Sequence, residues 1–568
     1  MAFGGLRLGL LGWLLVSSVA ANSITADPVA VDREQRVTFK GLERNGIEVF
    51  LNIRYGEDTG GENRFKPPRH HIPDPGSTIL AQEYGPACPQ QLGAPNIPIA
   101  LSNVTNISED CPNLNIARPM GTCELDTLPV MVYIHGAFGF AQSEALKTEG
   151  STNAGLRDQR LAIEWVRNKI AYFGRNPNNI TIFGQSSGGL AVGMQTLAYG
   201  GLKPAPFNQG ICQSQALEPG ITGNLTINTM QALVDHVGCN RTDLHMNHTV
   251  ECLRLLDTET LLNASIATYQ SDIAHNIGDI WLPVVDGDFL PAPPSQLLRE
   301  GRFSNTTTMI GWCEDDVTFF TDTKIKTPED TCNFISSYVP DVTEPNIDKL
   351  LSLYPSSEFL ENKKQELSAE FYRSARVFRD ILMVCQPAWY GECLADKRNE
   401  VFLYDWNQTI LDPIIAAVTD KTGFGTIHTS EFAYIFGKLS HYNISGYPFH
   451  PTYSDYALSQ RGSRSWSTFA STGKPGASGD KTFQGFDVSF PMKPRPYVVD
   501  PRQRLNESNI INDTHPIEME MYMYVIGGPV EGPSDFGGEK ARPAVKSQRL
   551  RERCAFINSP EMVEQLKY

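Results

Sequence analysis

Residues 180–189 read ITIFGQSSGG, and this stretch decides the fold. Its β-branched and aromatic beginning is typical of a strand, and small residues follow until a helical pattern resumes at Leu190. Between them lies the motif G-x-S-x-G, residues 184–188. A sharp turn from strand to helix needs glycine two residues before and after its centre, because a Cβ there would collide with the neighbouring backbone. The motif therefore predicts that Ser186 is a nucleophile at this turn and that the N–H of Ser187 faces an oxyanion.

The alternative is a purely structural turn. Glycine occupies 47 of the 568 positions, so five residues with this spacing are weak evidence by themselves. The strand pattern before the motif and the helix pattern after it favour the nucleophile.

The N-terminus has the composition of a signal peptide. Residues 1–21 contain one Arg, an apolar run over 8–16, and small residues before an expected cleavage after Ala20 or Ala21. We therefore expect a secreted, extracellular protein. No low-complexity linker or internal repeat divides residues 22–568, which predicts a single domain after the signal peptide.

The composition excludes some classes of partner. The chain has a formal net charge of −16, so nucleic acid and anionic membranes would repel it. No later run is long enough to span a bilayer, and the partner that we expect is a small molecule. His70 and His71 have no nearby Cys or suitably spaced His, so we interpret them as loop residues and not as metal ligands.

Cysteines and sequons fit an oxidising compartment. The 11 Cys leave at least one unpaired, and local spacing predicts the disulfides Cys88–Cys111, Cys239–Cys252 and Cys385–Cys393. Spacing assigns no partner to Cys123, Cys212, Cys313, Cys332 and Cys554. The chain has 12 N-x-S/T sequons, among them Asn103, Asn106, Asn224, Asn247, Asn305, Asn443 and Asn512.

A second strand pattern precedes the nucleophile motif. Residues 129–134 are apolar on both faces, as in a buried parallel strand, and His135, Gly136 and Ala137 follow. A glycine turn at the end of such a strand can supply further N–H groups to an oxyanion. Gly136 and Ala137 are therefore candidates for the oxyanion hole beside Ser187.

Longer segments resemble one known family. Residues 153–189, NAGLRDQRLAIEWVRNKIAYFGRNPNNITIFGQSSGG, resemble the nucleophile block of the type B carboxylesterase and cholinesterase-like family of α/β-hydrolases. Residues 108–116, SEDCPNLNI, resemble its second signature. Further similarities lie at residues 50–68, 466–475 and 553–559, so the resemblance covers nearly the whole mature chain. It implies an α/β-hydrolase fold, with a mostly parallel sheet between helices and with helical insertions, and it implies no metal or cofactor.

The resemblance also implies a triad in the chain order Ser, acid, His, because a serine hydroxyl needs a base and a group that orients this base. Residues 307–320, TTMIGWCEDDVTFF, resemble the family's strand and acid loop, and the matching acid is Asp316. Residues 423–437, GFGTIHTSEFAYIFG, resemble its histidine loop and place the base at His428. Alternatives remain for both roles: Glu314 and Asp315 for the acid, His441 and His450 for the base.

Three features depart from the family pattern. Gln185 precedes the nucleophile where the family usually has Glu, and Val317 follows the acid where it usually has Gly. In addition, the chain runs from Ala137 directly into FGFAQSEALKTEGSTNAG. Relatives have a longer loop and a sheet strand at this point. A loop and one strand are therefore expected to be missing after residue 137, either because the protein lacks them or because the reading of the gene dropped this segment.

The resemblance predicts a serine carboxylic ester hydrolase that works through an acyl-enzyme intermediate. The loop between Cys88 and Cys111 matches the lid of lipase members, but it is short and carries the sequons at Asn103 and Asn106. This favours small or medium esters over emulsified triglyceride. Two alternatives are a non-catalytic cholinesterase-like binding module and an enzyme that transfers or removes an acyl group on a secondary metabolite.

Overall fold

The structure is a computed structural model. It describes residues 27–92, 104–135, 139–241, 243–272, 280–443, 447–491, 520–538 and 540–568. The expected signal peptide, the sequons at Asn103 and Asn512, and the oxyanion candidates Gly136 and Ala137 lie outside the described residues.

The described strands form three sheets. The strands are β1 (Val29–Asp32), β2 (Val37–Lys40), β3 (Leu42–Arg44), β4 (Ile47–Arg54), β5 (Thr78–Leu80), β6 (Asn113–Pro119), β7 (Leu128–Ile134), β8 (Arg175–Gln185), β9 (Gln209–Gln213), β10 (Thr307–Cys313), β11 (Val401–Trp406), β12 (Tyr522–Ile526) and β13 (Gly532–Asp535). The central sheet has the order β13-β12-β11-β10-β9-β8-β7 and is parallel except for β13. The orders of the two small sheets are β1-β2-β5 and β3-β4-β6.

Helices surround the central sheet. The α-helices are α1 (Glu144–Glu149), α2 (Ala154–Lys169), α3 (Ser187–Leu197), α4 (Leu225–His236), α5 (Asn247–Leu255), α6 (Thr258–Asp272), α7 (Pro294–Glu300), α8 (Pro328–Tyr338), α9 (Glu344–Ser352), α10 (Ala369–Arg379), α11 (Gln386–Asp396), α12 (Asp412–Thr419), α13 (Phe432–Ile435), α14 (Tyr453–Thr472), α15 (Pro543–Gln548), α16 (Leu550–Ile557) and α17 (Pro560–Gln565). Within the described ranges, none of these helices is long and apolar enough to cross a membrane.

Successive side chains of a strand point to opposite faces of the sheet, and helices cover both faces of the central sheet. Along β10, Met309 belongs to one hydrophobic cluster and Ile310 to the other. The cluster around Ile310 includes Leu190 of α3, and the cluster around Met309 includes Trp466 of α14. This arrangement confirms the predicted class, a mostly parallel sheet between layers of helices.

Strand β7 forms one edge of the central sheet. Among the described residues it pairs only with β8, and the small sheet that contains β4 and β6 is separate from it. The described chain between β7 and β8 contains α1, α2 and a 3₁₀ turn but no strand. These observations agree with the strand expected to be missing after residue 137. The outer backbone groups of β7 consequently have no ladder partner in the described structure.

One of the three predicted disulfides is wrong. Cys88–Cys111 and Cys239–Cys252 are present, but Cys385 pairs with Cys554 of α16 at a Cα–Cα distance of 4.8 Å. Cys385 ends a π-helical segment, Asp380–Cys385, that continues directly into α11. Cys393 therefore lies about 12 Å further along the helix axis, beyond the roughly 7 Å that a disulfide can span between Cα atoms. Local spacing is misleading here because the intervening chain is helical and not a loop. The free cysteines of the described chain are Cys123, Cys212, Cys313, Cys332 and Cys393.

Candidate active site

The turn between β8 and α3 carries Ser186. This residue has φ 61° and ψ −124°, a backbone conformation that non-glycine residues rarely adopt and that costs on the order of 1–3 kcal/mol. A Cβ at Gly184 would lie 2.6 Å from the carbonyl oxygens of Gly188 and Ile134, and one at Gly188 would lie 2.1 Å from the Ile134 oxygen. Both glycines of the motif are therefore required by close backbone approach, as the sequence predicts.

Replacing Gly188 by alanine is expected to lower the free energy of unfolding by about 3 kcal/mol, because the Ile134 backbone must move to admit a methyl group. Gly462→Ala is the matched control. Gly462 lies inside α14 with a negative φ, and its added Cβ would be 3.6 Å from Trp406, an ordinary contact. Alanine should stabilise that helix by about 0.5–1 kcal/mol. Urea unfolding of the three proteins measures both effects, and equal effects at the two sites would contradict the packing argument.

Asp316 and His428 meet directly. Asp316 Oδ1 lies 2.5 Å from His428 Nδ1, and the Asp316 side chain is fully buried. The other carboxylate oxygen accepts a hydrogen bond from the Cys313 N–H at 2.9 Å. The backbone N–H of His428 donates to the Asp316 carbonyl at 3.1 Å. These contacts fix the loop after β10 against the histidine loop and hold the imidazole in one orientation.

The alternative acids face other groups. Asp315 Oδ2 accepts the Thr426 N–H at 3.1 Å, and its other oxygen faces Arg376 at 3.8 Å. Glu314 is partly buried, and the carbonyl oxygen of its backbone accepts a hydrogen bond from Arg379 at 2.6 Å. Of the three consecutive acids, Asp316 is the one whose carboxylate contacts the imidazole.

The alternative histidines have different environments. The ring of His441 packs against Phe432 and Tyr442, and His450 is exposed. His428 is the candidate base that contacts an acid of the loop after β10.

The second ring nitrogen of His428 also has a partner. Gln185 Nε2 lies 3.0 Å from His428 Nε2, and both side chains are buried. An amide nitrogen can only donate, so the imidazole accepts at Nε2 and carries its proton at Nδ1, towards Asp316. The Ser186 side chain is partly buried, and its hydroxyl forms no hydrogen bond with another described residue.

The described oxyanion candidate is Ser187. It is the first residue of α3, and the N–H groups of a first turn have no partner within their own helix. The positive end of the helix dipole adds to the attraction for an anion at this point. Gly136 and Ala137 continue the chain beyond the end of β7, outside the described structure.

The sequence predicts no role for Glu431, a buried polar residue beside Asp316 and His428. Glu431 accepts hydrogen bonds from Gln213 Nε2 at 3.2 Å and from the Cys313 thiol at 3.1 Å. Burial and, to a lesser extent, the charge of Asp316 raise the pKa of Glu431 above its ordinary value. The signal in the sequence is that Gln213 and Cys313 end parallel strands, since the carboxyl ends of such strands meet at one sheet edge. The ring of Phe320 also packs edge-on against His428, with 5.6 Å between centroids.

Glu314 of the acid loop forms a second cluster of acids with Asp315 and with Asp405 of β11. Burial, followed by the charges of Asp405 and Asp315, raises the pKa of Glu314 to about 8. Burial also raises the pKa of Asp405 to about 6, although Arg379 opposes this shift. The folded protein therefore keeps protons on these groups at pH values where the unfolded chain has lost them.

The difference between the folded and the unfolded pKa of Glu314 predicts how the stability of the protein changes with pH. Because the folded pKa of Glu314 lies above its unfolded value, its contribution is fully present below about pH 4.5 and is lost as pH rises through about 8. Glu314→Gln removes this loss. We expect the variant to exceed wild type by on the order of 4 kcal/mol at pH 8.5, because each pH unit between the two pKa values contributes about 1.4 kcal/mol, and by less than about 1 kcal/mol near pH 5. Denaturant unfolding at both pH values measures this difference, and Glu62→Gln on the surface is the control. A difference in unfolding free energy between Glu314→Gln and wild type that does not change with pH would contradict the raised pKa of Glu314.

Known proteins resemble this chain over nearly its full length. Residues 35–145 and 136–499 match the carboxylesterase family. A secreted lipase from Arthroderma benhamiae is 46% identical over 595 residues, covering 98% of each chain. An inactive carboxylesterase-like protein from Byssochlamys spectabilis is 31% identical and covers 79% of this chain and 84% of its own. The crystal structure of Aspergillus niger EstA has the same fold, with a TM-score of 0.70 at 21% identity, covering 96% of this chain and 99% of EstA.

The comparisons also bear on the missing strand. The two family matches overlap at residues 136–145, which follow the edge strand β7. The alignment with the Arthroderma lipase is 595 residues long, although this chain has 568, so that lipase has residues without a counterpart here. The overlap fits a deletion next to β7, and the alignment length shows that this chain has gaps against the lipase within the aligned region. The chain belongs to the carboxylesterase family, and its reaction class is the hydrolysis of carboxylic esters.

Proposed function

We propose that this protein is a secreted serine carboxylesterase with the triad Ser186, Asp316 and His428. The observation that carries the proposal is the 2.5 Å contact between Asp316 and His428, next to the strained turn at Ser186. A carboxylate at Nδ1 orients the imidazole and stabilises its protonated form, which is the task of the acid in such a triad. The single domain after residue 21 is part of the same proposal.

The proposed reaction is acyl transfer to water. Ser186 Oγ bonds to the ester carbonyl carbon while His428 Nε2 takes its proton, and backbone N–H groups at Ser187, Gly136 and Ala137 stabilise the oxyanion. When the carbonyl re-forms, the alcohol leaves with the proton from His428. Water then attacks the acyl-enzyme carbonyl and gives a proton to His428. His428 passes this proton to Ser186 Oγ as the acyl–oxygen bond breaks, which releases the acid and free Ser186.

For the substrate, we favour small or medium esters. The disulfide Cys88–Cys111 closes the loop that corresponds to the lid, and the sequon at Asn106 is exposed in this loop. A glycan at that position would oppose an apolar flap. The test is the rate of hydrolysis of tributyrin across its solubility limit: a smooth saturation curve supports the proposal, and a steep rise above the limit would indicate a lipase.

Secretion rests on two further observations. The described chain contains three disulfides, which form and persist in oxidising compartments, and the Arthroderma relative is named a secreted lipase. Expression of the full chain in a fungal host tests this directly. Recovery from the medium with a new N-terminus after Ala20 or Ala21 is expected; retention inside the cell with an intact N-terminus would contradict it.

The test of the mechanism is active-site labelling. A fluorophosphonate probe should modify one serine per chain, and mass spectrometry of the digested protein should find the label on Ser186. Prior heating should abolish the reaction. Failure to label the folded protein would favour a non-catalytic binding module, the class suggested by the relative named inactive. Product analysis with and without added methanol separates hydrolysis from transfer to another acceptor.

A further inference from the structure

Gln185 occupies the nitrogen that the proposed mechanism uses. It is the last residue of β8, directly before the nucleophile, and its side chain is only 8% exposed. Its amide nitrogen lies 3.0 Å from His428 Nε2, while Asp316 lies 2.5 Å from Nδ1 on the other side of the ring. The imidazole is therefore held at both nitrogens.

The chemistry of the two groups determines the direction of the contact. An amide NH₂ has no lone pair to offer, so it must donate, and a neutral imidazole has one accepting nitrogen. The lone pair of His428 Nε2 that accepts from Gln185 is the same lone pair that must take the proton of Ser186. The two partners compete for one site.

We infer that Gln185 is a positioning residue that caps the catalytic base in the resting enzyme and must leave Nε2 before Ser186 can be deprotonated. The inference rests on the proposed function and deepens it. The cap holds the imidazole in the tautomer with the proton on Nδ1, which is the tautomer that catalysis requires. It also stabilises the neutral ring against protonation, because a donor at Nε2 is lost when that nitrogen gains a proton.

The surroundings explain why such a donor has an effect. The titratable groups around His428 and Glu431 are Cys313 at the end of β10, Asp316 shortly after it, Glu431 before α13, Tyr133 on β7, Tyr404 on β11, and Tyr442 after α13. The carboxylate of Asp316 favours a protonated imidazole, and Glu431 does so as well when it is ionised. The Tyr442 hydroxyl donates to the Thr429 carbonyl at 3.4 Å and not to the ring. Gln185 is the neutral donor that opposes these charges.

The experiment measures the rate of fluorophosphonate labelling at Ser186 from pH 4.5 to 9 in wild type, Gln185→Leu and Gln185→Glu. Leucine has a similar size but no donor, so we expect the midpoint of the acid limb to rise by about 0.5–1 pH unit. The plateau rate should increase several-fold, because no amide must be displaced. Glutamate should raise the midpoint further, because a second carboxylate favours the imidazolium.

Gln215→Leu is the matched control. Gln215 is fully buried near the end of β9, and neither atom of its amide has a hydrogen-bond partner in the described structure. The same substitution there should leave the midpoint within about 0.2 pH unit of wild type. A residue that only supports the fold would lower the labelling rate without moving the midpoint.

A second readout does not depend on catalysis. Titration of ¹⁵N-labelled imidazoles by NMR, with the His428 signals identified by their loss in His428→Gln, reports protonation of the ring directly. A higher midpoint in Gln185→Leu than in wild type supports the cap; an equal or lower midpoint in a folded variant overturns it. If wild type is not labelled at any pH, the proposed function fails, and the NMR titration still decides the role of Gln185.

Discussion

Replacing Ser186 by alanine is expected to lower kcat for ester hydrolysis by at least about 10⁵-fold. Alanine keeps the Cβ and can occupy the same backbone conformation, so only the hydroxyl is lost. Because that hydroxyl forms no hydrogen bond with another described residue, the free energy of unfolding should change by less than about 1 kcal/mol. Initial rates with a p-nitrophenyl ester and urea unfolding of the same preparations measure the two quantities.

The matched control is Ser467→Ala on α14. The Ser467 hydroxyl is exposed and donates to the Arg464 carbonyl within the helix, far in sequence from the nucleophile turn. Its loss should leave kcat within about twofold of wild type. Full activity in Ser186→Ala would show that another residue is the nucleophile, whereas loss of folding in this variant would be contrary to the geometry of the turn.

Asp316→Asn is expected to lower kcat by about 10⁴-fold with a much smaller change in KM. An asparagine NH₂ facing His428 Nδ1 would donate to it and force the ring proton onto Nε2. The base would then have no lone pair for Ser186. The asparagine oxygen can still accept the Cys313 N–H, so the loop should keep its conformation.

Asp315→Asn is the control for this prediction. Asp315 is adjacent in the chain, but its carboxylate accepts the Thr426 N–H, which an amide oxygen can also do. Its kcat should remain within about threefold of wild type. Steady-state kinetics of the two variants at one pH compares them directly. A larger loss of kcat in Asp315→Asn than in Asp316→Asn would show that Asp315, and not Asp316, is the acid of the triad.

The strand–helix turn is predictable from the sequence because its constraint is local. Gly184 and Gly188 lie within two residues of Ser186, and both are needed to avoid contact with nearby backbone. The same locality explains why Cys88–Cys111 and Cys239–Cys252 follow from spacing. These two disulfides join cysteines 23 and 13 residues apart, whereas spacing fails for Cys385 and Cys393 because a continuous helix separates them.

Other features depend on contacts that spacing does not encode. Three consecutive acids follow β10, and the choice of Asp316 depends on which of their side chains the turn directs towards a loop 112 residues away. The pairing of Cys385 with Cys554 joins positions separated by 169 residues. The resemblance to a family supplies the first of these, because it carries information about the folded relatives, but it did not supply the second.

Neither residue spacing nor the family resemblance predicts the contact between Gln185 and His428. The sequence identifies Gln185 as a departure from the family, with an amide where the family usually has a carboxylate. It does not reveal that the amide takes the accepting nitrogen of the ring, because this requires the relative positions of β8 and the histidine loop. Glu431 is similar, since its position in the motif is visible but its burial is not.

The position of β7 at the sheet edge has a consequence for thermal inactivation. Central strands such as β9 and β10 have a parallel neighbour on each side, whereas β7 has one neighbour in the described structure, so its outward amides should exchange hydrogen with solvent first. The carbonyl of Ile134, the last residue of β7, is the atom against which Gly184 and Gly188 pack. Fraying of this strand on warming therefore loosens the nucleophile turn directly, and activity should decline before the central strands open.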